Sequence, residues 1–203
     1  MPRLQNRHAF HERKVALPLT KTNPSRSALA SMGVAACAGY AAHAIYHVIN
    51  GTPQDMLWTC HLAALLVGAG LLGRWSIVNA AGLMCLLLGL PMWLLYLFSG
   101  EPLIPTSLLT HVLAPILGFI GARAIGFPRH AWILALGFVA GIMAVTRFTT
   151  PSEANVNLAF GPMTGLSLWT VGGAAHWLLL LVQWALGLVV LQWILAKVLP
   201  RPD

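Results

Sequence analysis

The chain has 203 residues, 58% of them hydrophobic and 8% charged, with 8 tryptophans and a formal net charge of +7. That balance excludes a soluble globular domain and points to a polytopic membrane protein whose core is an all-α helix bundle in lipid. It also excludes nucleic acid as the partner of the positive charge, because the basic residues gather in an N-terminal tail and short connections.

The tail, residues 1–27, carries Arg3, Arg7, Arg13, Lys14, Lys21 and Arg26 against Glu12, with Pro18 and Pro24 interrupting any long helix. It reads as a cytoplasmic segment lying against anionic lipid headgroups. The first apolar run begins near Ala28 and is long enough to span, so no cleavable signal peptide is expected, although an Arg-rich, acid-poor start also fits a transit peptide.

Six apolar segments follow, at residues 28–50, 55–73, 76–98, 103–126, 130–148 and 173–199. Each is close to the ~20 residues that a bilayer core requires. Lys and Arg accumulate on the cytoplasmic side of a membrane, and eleven of the twelve here agree with six spans and both termini inside; the exception is Arg147. The expected location is the bacterial inner membrane. Cys37, Cys60 and Cys85 all fall within spans, so there is no disulfide framework to read.

Small residues at Gly82, Gly89, Gly118, Gly137 and Gly141 predict close helix packing. Trp58, Trp93, Tyr96 and Trp177 read as an outer aromatic belt, and Trp132 and Trp193 as an inner one. The long outer connection, residues 149–172, reads as a lid, its apolar piece 158–169 lying on or dipping into the outer leaflet.

Counting from the outer helix ends brings one set of polar residues to a common depth. His43 and His47 close the first span, Cys60 and His61 open the second, and Ser107, Thr110 and His111 open the fourth. Arg147 closes the fifth and His176 opens the sixth. At ~1.5 Å rise per residue these groups lie within roughly 10 Å of the hydrocarbon edge. Ionisable groups at such depth turn toward the bundle interior and mark functional sites.

Three chemistries fit this layer. In the preferred one, Cys60 is a nucleophile whose proton passes to His111, because the thiolate attacks an acyl carbonyl. Arg147 then holds a lipid phosphate, and Thr110, Asn155 or Asn157 donates to an oxyanion. This reading, lipid acyl transfer or hydrolysis, needs no cofactor. In the second, His43, His47, His61, His111 and His176 supply metal or haem ligands; His43 and His47 have the i, i+4 spacing of helical zinc sites. No Asp or Glu occurs deep within a span, so copper or bis-His haem is the form this alternative takes. The third is a non-catalytic accessory subunit of a larger membrane complex.

Three stretches also carry a resemblance. Leu57-Trp58-Thr59-Cys60, then Leu109-Thr110-His111, then Glu153-Ala154-Asn155-Val156-Asn157-Leu158 follow one another in an order that resembles the bacterial relatives of the transmembrane Cys/His lipid acyltransferases. The resemblance implies Cys60 as the acyl-accepting nucleophile and His111 as its base, with membrane lipid as the partner. The chain departs from the family at two points. Trp58 stands where bacterial members carry a His two residues before the Cys, and Asn155-Val156-Asn157 replaces a Gly-Thr-Asn element.

Overall fold

The computed structural model describes residues 24–162 and 173–202. Most of the basic tail and the second half of the expected lid lie outside the described residues. Within them, all regular structure is helical: α1 (Arg26–Ile49), α2 (Thr59–Gly73), α3 (Ser76–Phe98), α4 (Leu109–Ile125), α5 (Ala131–Thr149) and α6 (Gly173–Val198). Four of these, α1, α3, α5 and α6, are long and apolar enough to cross a membrane, while α2 and α4 are apolar but shorter.

Local chemistry sets the ends. Ser25 caps α1, its Oγ accepting from the Ala28 amide at 3.1 Å. Helix α2 stops where Arg74 takes a left-handed conformation, and the Trp75 amide returns to the Gly70 carbonyl at 2.8 Å, so α3 begins almost at once. The two helices then run closely paired. A Cβ on Gly82 would lie 2.8 Å from both the Ala63 carbonyl oxygen and the Val67 amide nitrogen, so only glycine allows this approach.

Helix α2 is the centre of the molecule, with α1, α3 and α4 around it, and Ala63, Ala64 and Val67 are fully buried. Large apolar side chains such as Val34, Ile45, Leu178, Leu186 and Val190 point outward on the surrounding helices. Such extensive apolar surface belongs in lipid. Gly89 and Gly118 also sit at helix contacts, against Cys60 and Val67, but Gly137 and Gly141 face open space, so their expected packing role falls away.

Unequal helix lengths leave a recess at one end of the bundle. Helix α1 has 24 residues and α2 has 15, about 36 Å against about 22 Å. His43 meets His61 in the first turn of α2 while α1 runs on to Ile49, so the short helix starts below the end of its neighbour. Residues expected to begin the second span form instead a short 3-10 turn, Pro53–Leu57, lying over that recess. Cys60 is consequently in the first turn of its helix rather than further along it. The fourth span likewise starts later than the apolar run at residue 103 predicts, and it opens with a π-helical turn, Leu109–Leu113.

Pro115 accounts for that turn. It has no N–H for the His111 carbonyl, and its ring crowds the same oxygen. The backbone widens, and the Ala114 amide bonds the Leu109 carbonyl five residues back.

A cluster of thiol and imidazole groups at the start of the short helices

The recess brings together Cys60 and His61 from α2, His43 and His47 from α1, and His111 from α4. The four histidines are buried and Cys60 is partly buried. Cys60 Sγ lies 3.2 Å from His111 Nε2. His111 Nδ1 donates to the Ser107 carbonyl at 3.0 Å and lies equally close to Thr110 Oγ1. A carbonyl can only accept, so the Nδ1 proton is fixed and Nε2 presents its lone pair to the thiol. Trp93 of α3 stacks on the His111 ring at 4.8 Å between centroids and 7° between planes. Trp93 therefore turns inward rather than joining a lipid-facing belt.

The start of α2 carries a second chemical resource. The first turn of a helix has amides with no partner inside the helix. Thr59 N–H is taken by Asn157 Oδ1 at 2.7 Å and Leu62 N–H by the Trp58 carbonyl at 3.1 Å. The two amides between them, of Cys60 and His61, both turn to the Cys60 sulfur. They form a pair of donors beside the sulfur, at the positive end of the helix dipole.

The other histidines meet one another. His43 Nε2 is 3.1 Å from His61 Nε2 and 3.3 Å from His47 Nε2. Each opposite ring nitrogen is held by an oxygen: His43 Nδ1 with Thr106 Oγ1, His47 Nδ1 with Thr52 Oγ1 and His61 Nδ1 donating to the Asp55 carbonyl, all at 2.8 Å. The Asp55 carboxylate is 3.7 Å from His47 Nδ1.

The remaining residues predicted from sequence stand apart from the sulfur. Asn157 is a cap supplied from a distant loop. Its Oδ1 accepts from the Thr59 amide and hydroxyl, and its Nδ2 donates to the Leu57 carbonyl. Asn155 folds its own loop, Oδ1 accepting from the Phe160 and Gly161 amides. Thr110 donates to the Ser107 carbonyl, so its proton is not free for an oxyanion. His176 bonds the Leu158 carbonyl and Trp177 the Ala159 carbonyl, both at 2.9 Å, tying the loop to α6. Arg147 sits over the Phe160 ring, 4.4 Å from its centroid, in a recess of about 350 Å³ shared with Trp177.

Sequence reasoning did not find Trp93, Thr52, Thr106 or the two amides at the sulfur. Only their contacts across the fold mark them. Comparison with known proteins returns no match to a family model, to a curated protein or to a solved structure.

Proposed function

We propose that this chain is a membrane-embedded enzyme of six spans that performs lipid acyl transfer or acyl hydrolysis through Cys60 and His111. One observation carries the reading: a partly buried thiol at a helix N-terminus lies 3.2 Å from an imidazole nitrogen whose lone pair is fixed toward it. A nucleophile, a base and a group that orients the base make up the arrangement that acyl transfer requires. The order of motifs that resembles the Cys/His lipid acyltransferases supports the same assignment of roles.

The chemistry follows from the geometry. His111 Nε2 takes the Cys60 proton, and the thiolate attacks the carbonyl carbon of a lipid ester. The carbonyl oxygen becomes an oxyanion that the amides of Cys60 and His61, already turned toward the sulfur, can receive. Collapse breaks the ester C–O bond, the leaving alcohol takes the proton from His111, and the acyl group remains on Cys60 as a thioester. An acceptor alcohol or water then attacks that thioester, giving transfer or hydrolysis.

In the proposed topology α2 and α4 are spans as well as the four longer helices, both termini are cytoplasmic, and the recess opens to the outer leaflet. Arg147, stacked on Phe160 beside Trp177, fits a lipid phosphate there. The test is turnover of a fluorescent phospholipid in proteoliposomes. The reading expects acyl release or transfer by the native protein and none by Cys60→Ser; full activity in Cys60→Ser would refute it.

A further inference from the structure

We infer that His43, His47 and His61 form a binding site for one imidazole-preferring first-row transition ion, of which zinc(II) is the type. The site goes beyond the thiol reading, since none of its three donor atoms takes part in the Cys60 and His111 pair.

The argument begins with direction. All three rings turn Nε2 toward one point, and the two Nε2···Nε2 separations from His43 are 3.1 and 3.3 Å. Donors at 2.0–2.1 Å around a tetrahedral ion stand about 3.3 Å apart. The ligand atoms of all three residues lie within 4.8 Å of one another.

The opposite sides of the rings carry the second part. A metal-bound imidazole characteristically gives its other N–H to an oxygen, which fixes tautomer and orientation. Here Thr106, Thr52 and the Asp55 carbonyl occupy all three Nδ1 positions at 2.8 Å. His61 must carry its proton on Nδ1, because a carbonyl only accepts. Three histidines coming from two helices with every Nε2 inward and every Nδ1 bound outward is a preformed ligand set.

The donor set also defines the ion. Three imidazoles suit zinc or copper rather than magnesium or calcium, which require oxygen. Three protein ligands leave a fourth position for a non-protein ligand, as in catalytic rather than structural zinc sites. A haem does not fit between these nitrogens, because axial ligands stand about 4 Å apart across a porphyrin iron. His176 stands outside the set, bonded to the Leu158 carbonyl and away from the three rings.

The test uses the full chain in detergent, stripped with chelator and titrated with zinc(II) and then cobalt(II). The site predicts uptake of about one equivalent, loss in His47→Ala, and retention in Cys60→Ser. Thr106→Val, which removes only the hydroxyl behind His43, is expected to weaken binding about 10–100-fold. His47→Cys exchanges one donor for another, so it should keep cobalt and add a thiolate-to-cobalt charge-transfer band. Three outcomes would overturn the site: no saturable uptake by the native chain, loss of uptake in Cys60→Ser, or cobalt bound by His47→Cys without the new band. Cys60→Ser separates this proposal from the preceding one, since it removes the acyl chemistry and leaves the ion.

Discussion

His111 shows how one residue connects backbone geometry to chemistry. Its Nδ1 proton goes to the Ser107 carbonyl, its Nε2 faces Cys60, and Trp93 covers its ring. His111→Gln keeps much of the volume and removes the base. Initial rates on the labelled phospholipid should fall by about 10²–10⁴-fold, and an unchanged rate would exclude His111 from proton transfer. Asn157 acts differently, holding the start of α2 through three hydrogen bonds. Asn157→Ala should cost about 0.5–2 kcal/mol, the range for a lost cap, and should raise the maleimide labelling rate of Cys60 as the loop loosens. Unfolding curves and labelling kinetics check both effects. Counting residues from the helix ends was enough to bring His43, His47, His61 and His111 to one level. It could not say which ring nitrogen points where, nor that Asn157 reaches 98 residues back to Thr59, because both depend on contacts that no local pattern encodes.

At the scale of elements, hydrophobic runs gave helix positions well, since a continuous apolar stretch leaves the backbone little alternative to a helix in lipid. They gave helix starts less well. The runs at residues 55 and 103 begin before the helices do: the 3-10 turn lies in the first difference, and the π turn opens the helix after the second. The π turn is also what aims His111. With Pro115→Ala, an ordinary α-helical register becomes available through residues 109–115, and closing the π turn rotates His111 by ~100° about the axis. Phospholipid turnover by Pro115→Ala should then fall to the level of His111→Gln while the protein stays helical by circular dichroism. Retained turnover would mean that the π turn does not orient the base. The same register change would leave His43, His47 and His61 in place, because α1 and α2 carry them.

Across the whole molecule, the short α2 buried among longer helices leaves a polar recess at one end of an apolar bundle. The loop over residues 150–162 is held to the start of α2 by Asn157 and to α6 by His176 and Trp177. Apolar side chains around the bundle and polar ones at the recess are the distribution expected of a site that meets lipid from within a membrane. The proposed six spans predict that both termini lie on the same face of the membrane. Epitope tags at the two ends should be cleaved together, or protected together, when sealed vesicles are treated with protease. Opposite behaviour of the tags would require an odd number of spans and would remove α2 or α4 from the set.

The most direct measurement is the intact mass of the protein after exposure to a phospholipid of defined acyl chain. The native chain should gain one acyl mass that neutral hydroxylamine removes, the gain should map to Cys60, and Cys60→Ser should show none. Phospholipid turnover without any adduct on Cys60, or an adduct that persists in Cys60→Ser, would contradict thiol-based acyl transfer at this site.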